Sequence, residues 1–250
     1  MKLDTHVHLL ISKTARPDWD EIRFTLDAAR RNGLDALCIC EHLDAVHYPD
    51  LLEGVFDANR VGGERLAPGV LRLESGLLLS SGAEVSLRGG GDAGVHAPPD
   101  VLRRLERQKG FYSLPELLDV LKAGGGETAV VAHHVYFGRK WIDELPVVGK
   151  QLSAIELPAK DLASREKYEL LAARLELPLV GGGDGHTWLQ IGACHTEIDE
   201  AEWPDASVFS IARLKGALKR YRAEPVAVAG ADRLVRMSRI YRQRLEQAAA

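Results

Sequence analysis

His6 and His8 are separated by one residue in the run Asp4-Thr5-His6-Val7-His8. On a strand, alternate side chains point the same way, so both imidazoles project together, as two ligands of one metal ion must. Asp4, two residues earlier, is placed to orient an imidazole by accepting its second N–H. The theme repeats downstream. Cys38-Ile39-Cys40-Glu41-His42 ends in His42, Gly82-Ala83-Glu84 in Glu84, and Val131-Ala132-His133-His134 in a histidine pair. Ile155-Glu156 ends in a carboxylate, and Gly183-Asp184-Gly185-His186 supplies Asp184 and His186. Of nine histidines, His6, His8, His42, His96, His133, His134 and His186 fall within or beside such positions. Nitrogen and carboxylate ligands without cysteine suit manganese, iron or zinc. Paired ions of this kind can make hydroxide from water and clamp the oxygens of an in-line displacement. If the reacting group is an ionised phosphate, it also needs cations. Arg88, Arg139, Lys140 and Lys160 follow the strand candidates, and Arg139 and Lys140 are the first choices for phosphate contacts.

These residues converge only if parallel strands bring their carboxyl ends to one face. Short apolar runs alternate with helical stretches, the pattern of repeated βα units. Strands are expected at 2–8, 36–41, 76–85, 128–133, 154–157, 178–182 and 193–198. Several are nearly continuous in apolar residues (Ala129-Val130-Val131-Ala132), as strands buried on both faces should be. A helix over 18–31 carries Ile22, Leu26 and Ala29 on one face and stops at Gly33, and a second covers 162–175. A last helix over 232–247 has Leu234, Met237, Tyr241 and Leu245 on its apolar side, with its arginines read as a solvated face. Gly89-Gly90-Gly91 through Pro98-Pro99, which includes His96, reads as a long loop leading to a helix near Asp100. Gly124-Gly125-Gly126 ends another helix. Cys38 and Cys40 are read as buried small residues filling inward positions, and Trp188 and Tyr136 as candidates to flank a substrate.

The chain has 250 residues, 46% of them hydrophobic, enough for one sizeable core, and a single domain over 1–250 is expected. A net charge of -4 gives no global attraction to nucleic acid or acidic membranes. No apolar run approaches the roughly 18 residues that cross a bilayer, and no signal peptide precedes Asp4. Three cysteines make no disulfide framework, so a reducing cytoplasm is expected.

Taken in order, the motifs resemble those of the PHP (polymerase and histidinol phosphatase) family. They are Asp-x-His-x-His, a strand ending in Glu-His, a Gly-x-Glu strand, an Ala-His pair and a late Gly-x-Asp-x-His. The segment Ile191-Gly192-Ala193-Cys194-His195-Thr196-Glu197 resembles the stretch that comes after the last motif in that family. The resemblance implies an α/β chain folded as a distorted (βα)7 TIM-like barrel, with metal motifs within 2–198 and a C-terminal βα extension over 199–250. It implies a metal-dependent phosphoesterase, expected here as a phosphatase of a small phosphorylated substrate, with two or three divalent ions. By the same resemblance His6, His8, Glu84 and Asp184 hold one ion. Glu84 bridges to a second, completed by His133 and His96, while His42 and His186 serve a third. Asp184, His186 and Glu84 then carry catalysis, and Arg139, Lys140, His134 and Arg88 contact the substrate. Two departures stand out. Ile11-Ser12-Lys13-Thr14 holds no histidine where many family members have one, leaving His47 as a substitute or a surface residue. His134 stands where the family usually has proline. Two alternatives remain open at this point: an amidohydrolase-like or TatD-like barrel acting on C–N bonds or nucleic acid, and a PHP-like metal-binding domain without catalysis. The first shares the opening motif but ends in a lone aspartate, whereas this chain has Asp184 and His186 together.

Overall fold

The first helix shows how local chemistry sets the frame. The Asp18 carboxylate accepts the N–H groups of Asp20 and Glu21, Ile22, Leu26 and Ala29 turn inward, and Gly33 follows the end of the helix with φ 87°. The computed structural model describes residues 1–199, 209–219 and 223–248. Its first strands are β1 (Lys2–Val7), β2 (Ala36–Ile39), β3 (Glu41–His42), β4 (Glu64–Ala67), β5 (Val70–Arg72) and β6 (Leu78–Ser80). They are followed by β7 (Gly82–Ser86), β8 (Asp92–His96), β9 (Ala129–His133), β10 (Ala154–Pro158), β11 (Leu179–Gly182), β12 (Cys194–Ile198) and β13 (Ala223–Ala227). The helices are α1 (Trp19–Arg31), α2 (Tyr48–Phe56), α3 (Pro99–Leu102), α4 (Leu114–Ala123), α5 (Leu145–Val148), α6 (Arg165–Leu175), α7 (Ile211–Lys219) and α8 (Ala231–Ala248).

This is a mixed α/β fold built on a seven-stranded sheet, β13-β12-β1-β2-β6-β5-β4, and a six-stranded sheet, β11-β10-β9-β8-β7-β3. Parallel pairing joins β1 to β2, β2 to β6, β3 to β7, and β9 to β10 to β11. Antiparallel pairing joins β7 to β8, β8 to β9 and β1 to β12, so the strands are not a uniform series of parallel βα units. The chain passes from one sheet to the other at Cys40, between β2 and β3, and again at Ser81, between β6 and β7. The expected strand over 76–85 is therefore two strands in different sheets. At the far edge the sheets meet through Asp184 N–H donating to His6 O (2.8 Å) and His8 N–H donating to Gly185 O (2.9 Å). Those two seams draw the ends of β1, β3, β7, β9 and β11 together, which are the positions carrying the histidines.

The expected loop before Asp100 is corrected by β8. Asp92, Ala93, Gly94, Val95 and His96 are all buried and pair with both β7 and β9. The backbone of a segment buried on both sides must find its hydrogen bonds in a ladder, whatever its glycine content suggests.

Below the histidines lies an apolar floor of Leu3, Ala36, Cys38, Leu78, Val131, Ala154 and Val180. Phe209, with Ile211, Leu214 and Leu218 of α7, closes it. At about 1.5–3 kcal/mol for each fully buried large aliphatic side chain, this floor is a rigid and dry base for whatever sits above it. The three cysteines are buried and unpaired, which bears out the packing reading of Cys38 and Cys40.

In the C-terminal extension, residues 200–208 and 220–222 lie outside the described residues. Helix α8 keeps most of its expected face, with Leu234 packed on the core and Tyr241 and Leu245 half-buried, and departs from it at Met237. Ala231, Val235 and Ser238 are the buried positions, and Met237 is 54% exposed. The Ser238 hydroxyl hydrogen-bonds the Thr187 hydroxyl at 2.7 Å, which seats α8 one residue from His186. No described helix is long and apolar enough to cross a membrane.

Candidate metal centre

The strand ends place two imidazoles nose to nose. Glu156 Oε1 lies 2.7 Å from His6 Nδ1, and Glu41 Oε1 lies 3.2 Å from His8 Nδ1. When each Nδ1–H donates to its carboxylate, each Nε2 carries a bare lone pair. Those two nitrogens are 3.0 Å apart in a fully buried position. Two acceptors held so close repel unless a cation or a proton lies between them, so the donor set fits a metal ion. Asp184 Oδ1 stands 3.4 Å from His8 Nε2 and 3.9 Å from His6 Nε2, and Glu84 Oε1 stands 3.5 Å from His6 Nε2. The four residues expected to hold one ion are thus brought together.

Glu84 is the hub. Besides His6 it approaches His42 Nδ1 (2.8 Å), His134 Nε2 (2.9 Å) and His133 Nδ1 (3.3 Å). Burial opposes its ionisation, yet His6 and the contacts from His133, His134 and His42 hold its carboxyl well below the usual range. His186 Nδ1 faces Leu10 O at 3.0 Å, which leaves Nε2 for a ligand role. Its ring stacks on His8 at 4.1 Å, and the donor atoms of His8, His42 and His186 converge as a further group.

His96 does not join. It is fully buried on β8, neither ring nitrogen has a hydrogen-bond partner, and it belongs to none of the converging groups. Burial, with His133 and His6 adding to it, pushes its imidazole down to about 3, so it sits there neutral. His134 stands nearer the hub than a pure substrate contact would. Its donor atoms group with His6, His133 and Glu156 on one side and with Glu84 and Asp92 on the other. Its backbone adopts φ 32°, and its N–H donates to Glu156 Oε2 at 2.9 Å. The φ > 0 conformation, rare for a residue with a Cβ, is held by that buried hydrogen bond.

Asp4 does not orient an imidazole. Its Oδ1 accepts the N–H groups of His6 (3.0 Å) and Gly183 (2.8 Å), and its Oδ2 accepts Gly192 N–H (2.8 Å). Burial pushes its carboxyl up to about 7 despite those donors. Asp4 ties β1 to the segment that carries Asp184, while Glu156 and Glu41 take the orienting part. Both were visible as strand-end carboxylates; what the sequence lacked was any sign that they stand behind the imidazoles. Asp92 was missed altogether because it falls in the segment read as loop.

The cations divide cleanly. Lys160 contacts Asp184 and lies over the Phe137 ring at 4.8 Å, and Lys140 Nζ lies 2.6 Å from Asp92 Oδ2. Both line a cavity of about 290 Å³ that also includes His42, Glu84, Asp184 and His186. Arg139 is exposed and outside this cavity, and Arg88 pairs with Glu116 on the surface, so the structure brings neither to the site. Arg239 and Arg242 of α8, read from sequence as solvated, line the cavity instead. Trp188 packs edge-on against Phe24 and Tyr136 against Tyr168 and Trp141, away from the lining. His47 pairs with Asp50 at 2.7 Å and joins no converging group.

Gly94 shows how closely the cluster is fitted. A Cβ there would lie 2.1 Å from His133 Nε2, and the His133 ring is stacked on His6 at 3.8 Å with no room to retreat. Gly94→Ala is expected to displace His133 and lower bound metal, measured by elemental analysis of purified protein. Gly216→Ala, whose Cβ meets nothing within 4 Å, is expected to leave metal content unchanged.

Among solved structures, PsfC from Pseudomonas syringae PB-5123 is 40% identical, with a TM-score of 0.87 over 98% of this chain and 98% of its own. The lesion-specific endonuclease PfuEndoQ from Pyrococcus furiosus is 12% identical, with a TM-score of 0.62 over 90% of this chain and 57% of that one. Endonuclease Q in complex with a 27-mer duplex carrying an abasic lesion matches at 12% identity and a TM-score of 0.58, over 88% and 56% of the two chains. At such identity the likeness to endonuclease Q is one of fold. No protein-family model matches the sequence, and no curated protein does.

Proposed function

The chain belongs to the family of PsfC, and from that premise we propose that it is a metal-dependent hydrolase of phosphate esters, a PHP-like phosphatase of a small phosphorylated molecule. The observation that carries this reading is the meeting of His6 Nε2, His8 Nε2, Glu84 and Asp184, with Glu156 and Glu41 behind the two imidazoles. His6, His8, Glu84 and Asp184 would hold one divalent ion. His133 and His134 with Glu84 would hold a second, and His42 and His186 a third. Manganese, iron or zinc bound there would lower the pKa of water and offset the charge of phosphoryl oxygens. The protein's own groups do the rest. Glu156 and Glu41 fix the imidazole tautomers, Lys160 and Lys140 offer ammonium groups to an ionised phosphate, and the apolar floor keeps water from entering beneath. Asp184 and His186 line the cavity, and besides their ligand parts they would hold or move a proton there.

The architectural reading goes with it. Two sheets that meet along both seams suit a distorted barrel, with 1–250 as one domain and α8 seated on its mouth. The nearly complete ligand set counts against an inactive metal-binding domain. The small cavity beside α8 favours a compact ester over the lesion-bearing DNA of endonuclease Q. The Asp184–His186 pairing counts against a C–N hydrolase.

Elemental analysis of the purified protein, then phosphate release from a panel of phosphomonoesters with manganese, iron and zinc, tests the proposal. Two or three bound ions with release of phosphate are expected. Bound ions without release from any ester would shift the reading to the amidohydrolase alternative, and a protein that binds no metal would refute it.

A further inference from the structure

We propose that α8 supplies a cationic clamp, Arg239 and Arg242, for a second oxyanion on the substrate, so that the chain acts on phosphoesters bearing another anionic group beyond the scissile one. The inference rests on the phosphoester reading and narrows it. Val235, Ser238, Arg239 and Arg242 all line the cavity, and their spacing of three, one and three residues is one stripe of a helix. The stripe is fixed in place, since Ser238 is buried and hydrogen-bonded to Thr187, next to His186. The two arginines therefore line the same cavity as His42, Glu84, Asp184 and His186, Arg242 half-buried and Arg239 at the exposed edge.

Charge balance gives them a task. The cavity is lined by Lys140, Lys160, Arg239 and Arg242 against Glu84, Asp92 and Asp184. Both lysines stand beside carboxylates of the centre, Lys140 at Asp92 and Lys160 at Asp184, where they serve the scissile phosphate. Arg242 shares Glu246 at 2.9 Å on the helix surface, and Arg239 has no ion-pair partner among the described residues. Cations and carboxylates nearly balance before any divalent ion enters. Two bound ions would be offset in part by Glu156 and Glu41 behind the imidazoles, and Arg242 by Glu246, which leaves Arg239 as the lining cation without a counter-charge among the described residues. A substrate with one more oxyanion completes the balance, and guanidinium groups grip such a group through paired N–H donors.

Three non-hydrolysable probes separate the terms: propylphosphonate, 2-carboxyethylphosphonate and propane-1,3-diphosphonate, titrated calorimetrically into the metal-loaded protein. They share one phosphonate and differ only in whether the tail ends in methyl, carboxylate or phosphonate. The doubly anionic probes are expected to bind at least about tenfold more tightly than propylphosphonate, the scale of one charge-assisted contact. The stronger of the two names the tail. In the Arg239→Ala/Arg242→Ala protein that preference is expected to vanish while metal content and propylphosphonate affinity stay within about twofold, since tenfold is the change being sought. Arg239→Glu, a single exposed change, is expected to reverse the preference. Equal binding of all three probes by the unaltered protein, or a preference that survives both variants, would overturn the clamp alone. Failure of propylphosphonate to bind at all would remove the phosphoester reading, and the clamp with it.

Discussion

Exchange of Glu84 for glutamine is expected to lower ester hydrolysis by more than about 10²-fold, because even the partners behind metal ligands are worth 10–100-fold. The substitution keeps shape and removes charge. One carboxylate oxygen of Glu84 lies 2.9 Å from His134 Nε2 and 3.3 Å from His133 Nδ1, and the other lies 2.8 Å from His42 Nδ1. A glutamine amide would present N–H groups to one of those sets, where a lone pair is needed, and would leave the imidazoles without their shared counter-charge. Metal content is expected to fall by at least one ion per chain, while far-UV circular dichroism stays that of the parent. Full activity with full metal content in Glu84→Gln would show that Glu84 is a structural hydrogen-bond acceptor and not a ligand.

What the sequence displays and what it hides have the same physical origin. Strands β9, β10 and β11 are legible because both of their faces are covered and their runs are short and largely apolar, and β1 is legible from the alternation of His6 and His8. Their last residues are legible as ligands because His, Asp and Glu at successive strand ends have no packing reason to be there. Strand β8 is not legible. Gly91 and Gly94 carry no side chain that could announce burial, and Gly94 is small because the His133 ring occupies the space its Cβ would need. The same blind spot hid Asp92 and placed His96 in a loop. Helix α8 misleads differently. Met237 fits an apolar stripe on paper, but Ser238 is the residue turned inward, since a buried hydroxyl with a partner at 2.7 Å costs little. The stripe that holds Ser238 also carries Arg239 and Arg242 to the cavity. Arg139 and Arg88 follow strands in sequence, yet proximity along the chain says nothing of direction, and both side chains point to solvent. Tertiary placement, not composition, separates Lys140 from its neighbour Arg139.

Joint replacement of His6 and His8 by alanine is expected to abolish metal-dependent hydrolysis and to remove the ion held between β1 and β11, with the chain still folded. The second half of that expectation needs argument, because both imidazoles are buried and each is paired with a buried carboxylate. A carboxylate stripped of its only partner would cost several kcal/mol. Neither is stripped. Glu41 still accepts the N–H groups of Leu10 and His42, each at 2.9 Å, and Glu156 still accepts His134 N–H at 2.9 Å. Asp4 keeps its three backbone donors, so the tie between β1 and the Asp184 segment survives as well. The apolar floor of Leu3, Ala36 and Val180 lies below the change and is untouched by it. A cooperative unfolding transition is therefore expected, shifted downward chiefly by the lost metal, which binds only the folded chain. Chelated parent protein is the control. Its transition should lie near that of the double variant if the shift comes from metal, and a variant that unfolds far below it would show that the two histidines hold the fold as well as the ion.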